Sequence, residues 1–186
     1  IAKFARFIKK VPSEPKEIYI GKIPVGRRQP VFFVAEIGIN HNGSLEVAKK
    51  LIDAAAEAGA QAVKLQKRTI PLVYSAEELA QPRAVPRDLL ESAIKRGVLP
   101  KESVERLIKS DFKDTTNGDL KYALEFNETE YKELFSYADE KGLLCFASPW
   151  DEKSVDFLEK FNPPCHKIAS AMLTNAGLLK KVKETG

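Results

Sequence analysis

Four short apolar stretches, each closing on polar residues, constrain this chain more than any other feature. The first lies in VFFVAEIGINHNG, residues 31–43, where an apolar run ends in Glu36 ahead of a Gly- and Asn-rich turn. The second is AVKLQ, ending in Lys64 and Gln66; the third is LLCFASPWD, with Ser148; the fourth is HKIAS, with Lys167 and Ser170. Runs too apolar for simple alternation read as strands buried on both faces of a parallel sheet. The expected strands are Val31–Ile37, Ala62–Gln66, Leu143–Ala147 and His166–Ala169.

Helical spacing follows each strand. Ser44 is placed to cap a helix carrying Leu45, Ala48, Leu51, Ile52 and Ala55, with Gly59 as its stop. Asn127 and Glu130 have capping-box spacing for a helix to Lys141, ended by Gly142. Asp151 heads a helix with Val155, Leu158 and Phe161 inward. Thr174 or Asn175 heads a last one with Leu178, Leu179 and Val182 apolar and Gly186 as its stop.

Alternation of this kind predicts an α/β fold with helices outside a parallel sheet. We read it as the first four strand–helix units of a (β/α)8 TIM-type barrel, whose usual length is about 250 residues. An open half barrel would leave strand edges uncovered, so the sequence reads as the front half of a longer protein. A hairpin is expected ahead of the first unit, with Ile18–Ile23 and Gln29–Phe33 flanking the turn IPVGRR. The expected division is a basic tail over 1–17 and a barrel half over 18–186. Residues 67–126 are too long for an ordinary loop and read as an insertion after the second strand. Short helices are expected there over Arg87–Lys95 and Glu102–Lys109, and DTTNGDLKYALEF is expected to be irregular. Such an insertion is a lid, a subunit contact or a plain surface excursion.

Of the 186 residues, 44% are hydrophobic and 30% charged, an ordinary globular balance. The net charge of +4 gathers in residues 1–30, with 8 basic and 2 acidic side chains, and reads as a solvated tail. It does not make a nucleic-acid face. No apolar run approaches the roughly 20 residues that span a bilayer, and no export signal is recognisable. Cys145 and Cys165 lack metal-ligand spacing and sit in apolar contexts, as reduced cysteines of a cytoplasmic protein do.

Strand ends that all carry polar groups predict a site for a small anion at the carboxyl face, where barrels of this kind do their chemistry. Lys64 and Lys167 are the candidate cations; a buried lysine needs an anion, and pairing with Glu36 or an outward turn into water are the alternatives. Ser148 and Ser170 are candidate hydroxyl donors, or helix caps. His41 has a side chain that titrates near neutrality and is either an acid–base group or a loop hydrogen bond. His166 is expected to face away from Lys167 in a structural role.

AEIGINHNG at 35–43, AGAQAVKLQKR at 58–68, FASPWD at 146–151 and KIASAMLTNAGLL at 167–179 together resemble the N-acetylneuraminate (sialic acid) synthase family. Synthases of pseudaminic and legionaminic acid share the layout, and the EIGINHNG form looks closer to the sialic and legionaminic branches. The resemblance implies condensation of phosphoenolpyruvate with N-acetylmannosamine, giving N-acetylneuraminate and phosphate. It implies that Lys64, Lys167, Ser148, Ser170 and Asn40 contact substrate, and that Glu36, Gln66 and His41 serve catalysis. Glu36 would handle protons at the attacking water or hold a sugar hydroxyl; Gln66 would bond a metal-bound water or the sugar. It also implies a divalent metal (Mn2+ or Mg2+) with ligands in a C-terminal half absent from this sequence. No metal ligand is assigned here. A homodimer, completed by a C-terminal antifreeze-like domain, is implied for the full-length protein. Two other readings stay open: a Schiff-base aldolase using Lys64 or Lys167, and a half barrel whose apolar edges bind a partner.

Overall fold

A computed structural model describes residues 17–185. The chain divides into two compact units, residues 1–32 and 33–186. The tail expected over 1–17 lies outside the described residues except for Glu17.

In the first unit, β1 (Ile18–Ile20) pairs antiparallel with β2 (Ile23–Val25), Ile18 opposite Val25 and Ile20 opposite Ile23. The hairpin is therefore tighter than the sequence implies. Gly21, at φ 60°, takes the first position of a two-residue loop and reverses the chain at once. Ile23–Val25, expected within the turn, becomes the second arm, and Gln29 instead closes a turn onto the Gly26 carbonyl at 3.0 Å.

The second unit is built on a three-stranded parallel sheet, β3 (Val34–Gly38), β4 (Ala62–Lys67) and β5 (Leu144–Pro149), with β4 in the centre. α1 (Leu45–Glu57) follows β3, with the Ser44 side chain accepting from the Val47 amide. α7 (Glu128–Glu140) precedes β5 and opens on the Asn127–Glu130 capping box. α8 (Glu152–Glu159) follows β5 behind the Asp151 cap. The core gathers Ile37, Ile52, Val63, Leu65, Leu134 and Leu158 between sheet and helices. Tyr131, Phe135, Phe157 and Phe161 form an aromatic group against it, with Tyr131 and Phe157 edge-on at 5.1 Å. Tyr131 also donates to the Gln66 carbonyl at 2.6 Å, which satisfies its fully buried hydroxyl.

The fourth strand does not form. Residues 165–169 carry no ladder: they do not pair with the free edge of β5, and without pairing an extended segment is not a strand. They lead into a 3-10 turn at Ser170–Met172 and then α9 (Ala176–Lys183). Asn175, not Thr174, caps α9; Leu178 is buried, and Gly186 lies outside the described residues.

The insertion after β4 holds α2 (Ile70–Val73), α3 (Ala76–Ala80), α4 (Arg87–Arg96), α5 (Lys101–Lys109) and α6 (Asn117–Ala123). Leu90, Ala93, Leu99, Leu107 and Ala123 give it a core of its own. α6 stands where an irregular stretch was expected. Thr116 and Asp119 close a capping box there, and Arg106 clamps the fully buried Asp119 carboxylate at 2.7 and 2.8 Å.

The two ends of the insertion are clasped together. Glu125 accepts from Arg68 Nε at 2.8 Å and from Lys67 Nζ at 3.2 Å, and all three side chains are buried or nearly so. Among the described residues no helix is long and apolar enough to cross a membrane. Glu125→Ala leaves two cations without their counter-charge in a poorly hydrated place. We expect it to cost about 3–5 kcal/mol of stability, read as a lower urea midpoint.

Candidate functional site

Strand register brings the polar strand ends together. Glu36 stands opposite Lys64 in the β3–β4 pairing, and Gln66 opposite Ser148 in the β4–β5 pairing. Side chains two apart share a face of a strand, so Lys64 and Gln66 point the same way. The result is a cleft of about 430 Å³ at the carboxyl end of the sheet. Glu36, Asn40, Lys64, Gln66, Ser148, Lys167 and Ser170 all line it. Seven of the eight residues singled out in the sequence thus share one cavity.

Lys64 is the buried charge of the site, only 5% exposed. Its ammonium donates to Glu36 Oε1 at 2.6 Å, which is the pairing expected as the alternative to a bound anion, and to Ser148 Oγ at 3.3 Å. The Glu36 side chain is 55% exposed, so the pair is buried on the lysine side and open on the carboxylate side. Lys167, Ser170 and Asn40 are exposed on the cleft, while Ser148 is buried. With two lysines and one carboxylate on its wall, the cleft favours an anion.

His41 is the exception. It is 2% exposed, stacks on Phe126 with ring centres 4.2 Å apart, and is not among the residues lining the cleft. Its Nδ1 accepts the Gly43 amide at 3.1 Å, which is the loop-shaping arrangement. Burial above all, with the charges of Arg96 and then Arg68, pushes its pKa from 6.5 down to about 4, against a smaller pull from a hydrogen bond to the Gly38 backbone. The loop needs glycine beside it. Gly43 sits at φ 70°, and a Cβ there would strike the Ala123 carbonyl at the end of α6. The NHNG turn is therefore moulded against the insertion.

No described residue of the 67–126 insertion lines the cleft. Trp150 does line it, and the sequence reading passed over it. Its signal was present: Trp150 follows Ser148 at the two-residue spacing that returns a side chain to the same face.

Among the described residues no three His, Cys, Asp or Glu side chains group as a metal site would require. His41 is packed on Phe126, and His166 bonds Glu159 Oε1 at 2.7 Å. The described residues do not fit the divalent metal that the synthase resemblance implies.

The sequence model of the NeuB family matches residues 51–186. The chain belongs to the NeuB family. It is 35% identical over 162 residues to the N-acetylneuraminate-9-phosphate synthase of Mus musculus, covering 87% of this chain and 38% of that protein. It is also 35% identical over 140 residues to a pseudaminic acid synthase of Campylobacter jejuni, covering 75% of this chain and 34% of the relative. Its fold superposes with a TM-score of 0.64 on the N-acetylneuraminic acid synthetase of Leptospira borgpetersenii in complex with citrate, at 26% identity over 91% of this chain and 47% of the other. The chain thus spans well under half the length of the curated relatives it matches.

The depressed histidine sets a pH dependence. The unfolded chain takes up this proton at pH 6.5 and the folded one only near 4. The contribution is complete above 6.5 and is lost as pH falls toward 4. It is worth on the order of 3 kcal/mol at most. His41→Gln should flatten the fall in urea stability across that window; an unchanged slope would refute the assignment.

Proposed function

We propose that this cleft binds phosphoenolpyruvate. In this reading the chain supplies the opening strand–helix units of a (β/α)8 synthase that makes a nonulosonic acid of the N-acetylneuraminate type. One observation carries it: a nearly buried ammonium, Lys64, at the carboxyl end of the central strand, hydrogen-bonded to Glu36 and Ser148 on a cleft that Lys167 and Ser170 share. The names of the relatives supply the product class.

In the proposed reaction, C3 of phosphoenolpyruvate attacks the aldehyde carbon of open-chain N-acetylmannosamine or a related N-acetylated amino sugar, forming the new carbon–carbon bond. Water adds at C2, losing a proton that balances the one taken up by the aldehyde oxygen as it becomes a hydroxyl, and the bond from C2 to the phosphate oxygen breaks to release inorganic phosphate. Lys64 and Lys167 hold the phosphate and carboxylate oxygens as charge-assisted donors, and Ser148 and Ser170 add hydroxyl donors. Glu36 reaches the cleft from its exposed side and takes the proton of the attacking water or fixes a sugar hydroxyl. Gln66 and Asn40 contribute neutral hydrogen bonds to the sugar. His41, neutral in its buried place, holds the loop that carries Asn40. A divalent metal would polarise the aldehyde; the described residues do not supply its ligands.

Trp150 is the chain's one tryptophan and lines the cleft, so its fluorescence reports occupancy. Titrating phosphoenolpyruvate into the 186-residue chain should change that emission saturably. Lys64→Met should weaken binding on the order of 10- to 100-fold, the worth of a charged hydrogen bond. A flat titration, or an affinity indifferent to Lys64→Met, would sink the reading. With N-acetylmannosamine added, the chain alone should release no phosphate, since its described residues gather no three His, Cys, Asp or Glu side chains to hold the metal. Steady release would show that the catalytic set is already complete.

A further inference from the structure

Lys167 reaches the cleft from a stretch that no strand supports. Residues 163–169 make no ladder bonds. Among the described residues, one side-chain hydrogen bond ties them to the rest of the unit, His166 Nε2 to Glu159 Oε1 at 2.7 Å. The His166 side chain is only 5% exposed, and its Nδ1 is buried without a partner, so the ring is sunk into the fold. The next residue, Lys167, is exposed and lines the cleft. Consecutive side chains of an extended segment point to opposite sides, and here one anchors while the other presents its charge.

The anchor stands on a helix that is capped at its other end. Glu159 is the last residue of α8. The first turn of α8 is fixed by Asp151, whose carboxylate takes the Ser154 amide at 2.9 Å, the Ser154 hydroxyl at 2.6 Å and the Thr69 amide beyond β4 at 2.7 Å. A continuous path therefore runs from the end of the central strand through α8 to the backbone of Lys167.

We infer that His166 and Glu159 are positioning residues, a pair that holds the extended stretch so that Lys167 and Ser170 share the cleft with Lys64 and Ser148. The binding half of the test rests on the phosphoenolpyruvate reading; the other half does not. Cys165 adjoins His166 and is half-buried, whereas Cys145 is buried in β5 and serves as an internal control. In Glu159→Ala and His166→Ala, Cys165 should react about tenfold faster with a disulfide-exchange reagent, reflecting the lost hydrogen bond, while Cys145 stays protected. His166→Gln, which keeps a donor near the Nε2 position, should restore the slow rate.

Phosphoenolpyruvate affinity, read from Trp150 emission, should fall about tenfold in Glu159→Ala and in His166→Ala and be retained in His166→Gln. Lys167→Met should matter much less in the Glu159→Ala background than alone, the coupling expected of residues acting through one geometry. Unchanged Cys165 labelling, or labelling that rises with no loss of affinity, would overturn the inference. If the unmodified chain shows no response to phosphoenolpyruvate, the ligand reading falls, and the labelling rates alone decide whether the pair holds the stretch.

Discussion

A single ammonium on the central strand organises this structure. Taking a charge out of water is costly unless something opposite meets it. At Lys64 that demand is met by Glu36 from one neighbouring strand and Ser148 from the other. The parallel register decides which side chains can answer, since Glu36 stands opposite Lys64. A one-residue slip would turn the lysine's partners to the opposite face of the sheet. Sheet pairing and site chemistry are therefore one constraint here.

A second tier of contacts holds the loop beside that lysine. The NHNG turn is shaped by His41, which stacks on Phe126, which in turn lies beneath the Arg96 guanidinium. Arg96 also donates to the carbonyls of Ala123 and Glu125 and pairs with Glu130. The insertion thus acts on the site from behind, through the backbone of the turn. The same Arg96 charge helps keep His41 neutral, which suits a ring whose unprotonated Nδ1 must accept from Gly43.

Much of this was legible in the sequence because strong local signals agreed. The caps at Ser44, Asn127 and Asp151 each formed as spelled out, and the apolar runs at β3, β4 and β5 became strands. The misreadings share a cause. His166–Ala169 has strand composition but no described ladder partner, and pairing is a property of neighbours. The segment around Thr116 looked irregular because its helix is short; a capping box and a buried Arg106–Asp119 contact stabilise it, and the second is invisible to local pattern. His41 had the right residue type beside the right strand. Its burial comes from Phe126, far along the chain, and no spacing rule announces that.

The clasp at Glu125 has a further bearing on the insertion. Lys67 and Arg68 leave the sheet where Glu125 returns to it, within 3.2 Å. From the side of the sheet, the long excursion closes like a tight loop. The entropy of bringing chain ends together grows only slowly with the length between them, and here an ion cluster fixes the ends while a separate apolar core fills the space between. The segment thus resembles a module plugged into a socket, whose length can vary so long as the three charges at its base, Arg96 and Phe126 behind the turn, and the turn-facing end of α6 are kept.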